Sequence, residues 1–70
     1  MKLSARNQFK GTVVEIQQGA VNGVVKIDIG GGNIISSVIT VSSINELGLE
    51  VGGPAWAVIK ASNVMVGVDD

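Results

Sequence analysis

The side chains most suited to chemistry in this sequence are its few cations. There are five, namely Lys2, Arg6, Lys10, Lys26 and Lys60. Arg6 is the sole arginine, and a guanidinium group presents a planar fork of donors that matches an oxyanion. Lys60 precedes the small residues Ala61 and Ser62, where backbone N–H groups in a turn could approach an anion closely. Residue type alone nevertheless favours ordinary surface roles for both cations over an anion site.

The sequence argues against enzymatic chemistry. It has no His and no Cys, so the commonest general base and the strongest nucleophile are both missing. The carboxylates show no pairing suited to acid–base work or to metal coordination; they are Glu15, Asp28, Glu46, Glu50, Asp69 and Asp70. We therefore predict a protein that is not an enzyme, holds no bare metal ion and carries no cofactor.

Charge and aromatic content disfavour nucleic acid and membranes as partners. The net charge is −1, whereas nucleic-acid-binding domains usually carry a basic excess. Phe9 and Trp56 are the only aromatic residues, which is few for base stacking. No apolar run approaches the roughly 20 residues that span a bilayer, and residues 1–11 lack the apolar stretch of a secretory signal. The resulting expectation is a cytoplasmic location.

Length and composition predict one domain, residues 1–70, that depends on a partner subunit. A domain of this size buries only about 60% of the surface of its unfolded chain. Without Cys or His, neither disulfides nor the usual zinc ligands can add stability. Hydrophobic residues make up 46% of the chain, which is more than the small core of a 70-residue domain can enclose. We therefore expect part of the apolar surface to face another subunit.

β-Branched residues dominate the apolar content and indicate strands. Val and Ile together number 20, against 3 Leu. Alternation and turn residues predict five strands, at 9–17, 21–29, 34–41, 55–60 and 64–68. A short helix is predicted at 42–48, where Ser43 and Glu46 could form a capping box. These elements together predict an all-β fold, a small five-stranded OB-like Greek-key barrel with one short helix.

The strands and turns also make local predictions. Thr12, Val14 and Ile16 alternate along the chain and should share one side of the first strand. The run of glycines at 30–32 favours a hairpin turn over a phosphate-binding loop, because neither a Lys-Ser/Thr pair nor a helix follows it. Pro54 lacks a backbone donor and should begin a strand or lie at a sheet edge.

Several segments of the chain resemble one protein family. Residues 4–11, SARNQFKG, are similar to the opening signature of the molbindin, or Mop, domains, which are relatives of the TOBE domains of molybdate-responsive regulators and transporter ATPases. Residues 58–66, VIKASNVMV, look like the closing strand–turn–strand motif of these domains, and 31–33, 39–43 and 46–49 are similar as well. The resemblance implies an OB-like barrel, hexamers built as trimers of dimers, and oxyanions bound between subunits.

The resemblance also implies a set of oxyanion-binding residues. One subunit would contribute Ser4, the backbone at Ala5, and Arg6, and a neighbour would contribute Thr40, Ser43, Lys60, Ala61 and Ser62. Two cations would roughly balance a tetrahedral dianion such as molybdate or tungstate and offset the cost of burying it. The implied function is intracellular binding of molybdate or tungstate by a homohexamer, for storage or homeostasis.

Two other functions stay open at the level of sequence. A barrel of OB type could serve as a nucleic-acid-binding module, which would show salt-dependent binding to single-stranded oligonucleotides. A domain of this kind could also act as a regulatory interaction module of a molybdate transporter or regulator. Molybdate and tungstate share one shape and one charge, so residue types do not separate them.

Overall fold

The computed structural model describes all 70 residues and contains one antiparallel sheet. Its strands are β1 (Asn7–Gln18), β2 (Asn22–Gly30), β3 (Asn33–Thr40) and β4 (Pro54–Ile59), in the spatial order β3-β2-β1-β4. Helix α1 (Val41–Glu46) joins β3 to β4, and a 3₁₀ turn (Ala61–Asn63) follows β4. The predicted all-β class with one short helix is confirmed, and these four strands lie close to their predicted positions.

The prediction of a fifth strand is wrong for the single chain, which has four. Residues 64–70 belong to no strand, and their only backbone hydrogen bond to the chain runs from the N–H of Val64 to the carbonyl of Ala61. Met65, Val66 and Val68 are at least 90% exposed. An apolar β-branched segment favours extended backbone, but it cannot supply the partner strand that would complete a ladder.

The core lies on the inner face of the sheet, beneath α1. Its fully buried apolar residues are Val13, Val25, Ile27, Ile44 and Ala57. Each strand except β3 contributes at least one of them, and the helix contributes Ile44. Gly23 allows this helix contact, because a Cβ atom there would lie 2.6 Å from Cδ1 of Ile44. The short helix therefore closes one end of the core.

A β-bulge in β1 overturns the predicted facing of Thr12, Val14 and Ile16. The register between β1 and β2 shifts between Val13 and Glu15. Val13 is fully buried and Val14 is exposed, yet Ile16 packs against the same core as Val13. The extra residue at the bulge reverses the alternation along the strand, which a strict period of two cannot anticipate.

The turn between β2 and β3 confirms the prediction for the glycine run. Gly30, Gly31 and Gly32 have φ angles of 97°, 63° and 80°, which favour glycine. The Asp28 carboxylate accepts a hydrogen bond from the Gly30 N–H at 2.8 Å, and the Asn33 side-chain amide donates to the Gly30 carbonyl at 3.1 Å. A strand follows the turn, so this segment is a hairpin and not a phosphate-binding loop.

Helix α1 begins at Val41 because Thr40 is its N-cap. The Thr40 hydroxyl accepts a hydrogen bond from the Ser43 N–H at 3.0 Å and donates one to the Ser43 hydroxyl at 2.8 Å. The predicted capping box led by Ser43 is therefore wrong, since Thr40 ends β3 in an extended conformation and takes the cap position first. Pro54 begins the edge strand β4, as predicted.

We predict that Gly11→Ala lowers the free energy of unfolding by about 1–3 kcal/mol, the usual cost of overpacking. A Cβ atom at Gly11 would collide with the Asp28 carbonyl and lie 2.8 Å from Cγ2 of Ile27, both on β2. Urea unfolding measures the change. The control is Thr12→Ala at the exposed neighbouring residue, which should stay within about 0.5 kcal/mol of the parent. Equal stability of the two variants would contradict the close packing of β1 on β2.

Candidate functional site

The pairing of β1 with β4 brings Arg6 and Lys60 to one end of the sheet. Asn7 is paired with Ile59 in an antiparallel ladder. Arg6 immediately precedes Asn7 and Lys60 immediately follows Ile59, so the two cations lie at the same end of the sheet. The side-chain amide of Asn7 donates to the Ile59 carbonyl at 3.2 Å and ties the two strands together here. Both Arg6 and Lys60 are exposed to solvent.

The segment before β1 is held in place by its own polar side chains. The Gln8 side-chain amide donates to the Ala5 carbonyl at 2.9 Å. This bond links Ala5 to the start of β1, and the 3₁₀ turn Ala61–Asn63 follows the end of the paired strand β4. The β1–β4 register thus brings Arg6 and Lys60 to the same end of the sheet, and Ser4, Ala5, Ala61 and Ser62 adjoin these two residues in sequence. We call this set of residues the cationic end. Gln8 was missing from the predicted residues because its role depends on a backbone contact that residue type does not reveal.

No carboxylate compensates the cationic end. The one ion pair in the structure joins Lys26 Nζ to Glu15 Oε2 at 3.3 Å, on the β1–β2 face. Residues 1–14 and 51–68 contain no Asp or Glu, although they contain Lys2, Arg6, Lys10 and Lys60. A chain with a net charge of −1 therefore presents a local excess of positive charge, which an anion would relieve.

The cationic end also offers free backbone donors. The N–H groups of Ala5, Arg6, Ala61 and Ser62 take part in no backbone hydrogen bond of the chain. Ala5, Ala61 and Ser62 have small side chains, so a ligand could approach these donors closely. Neutral N–H groups beside two cations form a donor set suited to a small oxyanion.

Thr40 and Ser43 lie at the opposite end of the sheet. Thr40 is paired with Asn22 at the start of β2, next to the C-terminal end of β1, whereas Arg6 precedes its N-terminal end. β1 has 12 residues and would measure about 40 Å if straight. One chain therefore does not bring Thr40 and Ser43 to the anion that Arg6 and Lys60 could contact. The resemblance assigns Lys60 to the same subunit as Thr40 and Ser43, whereas in the single chain Lys60 lies at the end of the sheet where Arg6 is. Which subunit supplies each donor stays a prediction.

The hydroxyl groups of Thr40 and Ser43 are hydrogen-bonded to each other. The Thr40 hydroxyl donates a hydrogen bond to the Ser43 hydroxyl oxygen. The Thr40 hydroxyl oxygen also accepts a hydrogen bond from the Ser43 N–H and so caps the helix. Ser43 accepts that bond, so its hydroxyl hydrogen remains available to an external acceptor. These bonds hold the Thr40 and Ser43 hydroxyl groups together at the start of α1.

Other kinds of site find little support in the geometry. No three His, Cys, Asp or Glu side chains lie together in an arrangement that could hold a metal ion. The two aromatic residues point to opposite faces of the sheet, because Phe9 is paired with Ala57 and Trp56 with Lys10. They do not form a shared stacking platform for bases. None of the helices has both the length and the apolar character needed to cross a membrane.

The family model and the similar sequences that match this chain all point to one family. A model of the TOBE domain matches residues 3–66. A probable molybdenum-pterin-binding protein of Haemophilus influenzae is 59% identical over 69 residues, which cover 99% of this chain and all of that protein. Molybdenum-pterin-binding protein 1 of Clostridium pasteurianum is 46% identical over 66 residues, which cover 94% of this chain and 97% of that protein.

Comparison with solved structures agrees with the sequence matches. MopII from Clostridium pasteurianum superposes with a TM-score of 0.89 at 43% identity, covering 96% of this chain and all of that chain. ModG, described as a cytoplasmic molybdate-binding protein and solved with molybdate bound, gives a TM-score of 0.93 at 51% identity. This alignment covers 99% of the present chain and 49% of ModG. On this evidence of sequence and fold, the chain belongs to the molbindin (Mop) family of TOBE-type domains.

Proposed function

We propose that this protein binds molybdate or tungstate as an oxyanion at the subunit interfaces of a cytoplasmic homo-oligomer, for storage or homeostasis. The observation that carries the proposal is the cationic end, where the β1–β4 register brings Arg6 and Lys60 to one end of the sheet and neither forms an ion pair. The choice of ligand is supported by the molybdate bound to ModG and by the names of the full-length relatives.

The donor set matches the needs of a tetrahedral dianion. Arg6 and Lys60 supply two positive charges against the two negative charges of the ligand, which offsets its desolvation. Hydrogen bonds between ionised groups and oxyanions are roughly twice as strong as neutral ones. Ser4 and the free N–H groups at Ala5 and Ala61 add donors without adding bulk.

Completion of the donor set requires a second chain. Thr40 and Ser43 lie at the far end of the same sheet, so any contact they make with this anion comes from a neighbouring subunit. Burial between chains would exclude water from the anion and strengthen each charged contact. A ligand held only by the assembled protein also stabilises the assembly by mass action. The homohexamer of three dimers that the family resemblance implies would repeat such an interface by symmetry.

The proposed role is one of binding without catalysis. The cationic end combines a guanidinium, an ammonium, hydroxyls and amides, and it contains no His, Cys, Asp or Glu side chain. The description of ModG as cytoplasmic supports the proposed location. A nucleic-acid-binding module is less well supported, because Phe9 and Trp56 lie on opposite faces of the sheet.

We predict that Arg6→Ala and Lys60→Ala each weaken molybdate and tungstate binding by roughly tenfold to a hundredfold, the usual value of a hydrogen bond to a charged group. Isothermal titration calorimetry measures the dissociation constants, with sulfate as a comparison anion. The control is Lys26→Ala, which removes a cation from the ion pair with Glu15 on the β1–β2 face. Unchanged affinity in the Arg6 and Lys60 variants, or an equal loss in all three, would reject the cationic end as the site.

We predict that Arg6→Ala and Ser43→Ala chains restore tight binding when they are mixed. If an anion lies between Arg6 of one chain and Ser43 of another, each variant alone has only damaged sites. A mixed assembly contains some interfaces where both groups are intact. The two proteins are unfolded in urea, refolded together and titrated with molybdate, and each is refolded alone as the control. The mixture could also bind molybdate no more tightly than each variant does alone. In that case either both residues contact the anion within one chain, or Ser43 does not contact it.

A further inference from the structure

The peptide bond that precedes Arg6 is held from its carbonyl side. The Gln8 side-chain amide donates to the Ala5 carbonyl at 2.9 Å, and this contact is part-buried. Peptide bonds are planar, and none in this chain is cis, so the N–H of Arg6 points away from the Ala5 carbonyl. Fixing the carbonyl therefore also fixes the direction of that N–H group, which takes part in no backbone hydrogen bond of the chain.

The peptide bond that precedes Lys60 has the same arrangement. The Asn7 side-chain amide donates to the Ile59 carbonyl at 3.2 Å, although these two residues lie 52 positions apart in sequence. The N–H of Lys60 therefore points away from this contact, and it too takes part in no backbone hydrogen bond. Each cation of the cationic end thus follows a peptide bond whose carbonyl is occupied and whose N–H is free.

The two side-chain amides come from adjacent positions of one strand. Asn7 and Gln8 begin β1, so their side chains leave the strand toward opposite faces. One amide therefore reaches across the ladder to β4, whereas the other bonds back to its own chain. Both side chains are uncharged, so they can orient backbone groups without changing the charge around a bound anion.

The direction of these two peptide bonds matters for an anion because each bond carries both an acceptor and a donor. A carbonyl oxygen turned toward an oxyanion would repel it, whereas the N–H group of the same peptide bond would donate to it. Ala5 and Lys60 lie outside the strands, so the β1–β4 ladder alone does not fix both groups. The side-chain amides therefore decide which group faces the anion.

We propose that Asn7 and Gln8 are positioning residues of the oxyanion site, an inference that rests on the proposed function. Gln8 directs the N–H of Arg6 toward the anion. Asn7 does the same for the N–H of Lys60, and neither side-chain amide itself contacts the anion. The site then contains, besides two charged side chains, two backbone donors whose directions are set before the anion binds, so binding costs less conformational entropy.

Calorimetric titration of the full chain with molybdate tests the two amides. Gln8→Met and Asn7→Leu keep the approximate side-chain volume but remove the donor, and each should weaken binding roughly twofold to tenfold, the usual net contribution of one hydrogen bond. The control is Asn33→Leu, which removes a side-chain amide that donates to the Gly30 carbonyl in the β2–β3 hairpin. It should leave the dissociation constant unchanged. Equal affinity of all four proteins, or an equal loss in the control, would overturn the proposal.

Backbone NMR separates positioning from a general loss of structure. In the parent chain, molybdate should move the amide proton resonances of Arg6 and Lys60 downfield as hydrogen bonds to the anion form. Gln8→Met should reduce only the shift at Arg6. Asn7→Leu should reduce only the shift at Lys60. Equal changes at both residues in both variants would show that the amides only stabilise the end of the sheet, and would overturn the positioning role.

The anion-free protein provides a measurement that is independent of the proposed function. In ¹⁵N relaxation, Gln8→Met should lower the order parameter of the Arg6 N–H, and Asn7→Leu should lower that of the Lys60 N–H. Unchanged order parameters in both variants would contradict the positioning role. If molybdate shifted no amide resonance of the cationic end in the parent, the proposed function would be rejected together with the role of the amides in it. The two failures are distinct, because one appears only in the variants and the other already in the parent.

Discussion

The antiparallel pairing of β1 with β4 determines where the charge of this small protein lies. Through the Asn7–Ile59 pair, residues more than fifty positions apart in sequence meet at one end of the sheet. Arg6 and Lys60 both lie at this end, and neither forms an ion pair with a carboxylate. Mutual repulsion of like charges costs free energy unless an anion lies between them. Bringing two cations to one end of the sheet therefore costs free energy, and binding of the proposed oxyanion would offset that cost.

A second constraint is the small share of the chain that is buried. Only six of 70 residues are buried, while a groove between β3 and β4 and the segment 64–68 both expose apolar surface. Small domains commonly solve this problem with disulfides or structural metals, but the sequence contains neither Cys nor His. In the proposed homo-oligomer, contact with further copies would cover exposed apolar side chains. It would also let the hydroxyls of Thr40 and Ser43 of one chain contact an anion at the cationic end of another.

The sequence predicted much of the fold because the signals were local. Alternation located the four strands, the glycines at 30–32 located the hairpin, and Pro54 located an edge. Predictions failed where a neighbour decided the outcome. The bulge near Val14 depends on the register with β2, the helix cap depends on where β3 ends, and residues 64–68 lack a partner strand within their own chain. For the site, residue type identified Arg6 and Lys60 as candidates, but only the β1–β4 register places them at the same end of the sheet. The sequence did not predict that Thr40 and Ser43 lie at the opposite end.

The central claim is that an oxyanion belongs to an interface between chains and not to a single chain. Native mass spectrometry of the full-length protein with molybdate tests this most directly, with sulfate at the same concentration as the comparison. We expect dimers or larger assemblies to retain molybdate in a fixed ratio to the number of chains. Monomers released from them by gentle collisional activation should retain none. Monomers that hold molybdate as well as the assemblies do, or assemblies that retain no more molybdate than sulfate, would contradict it.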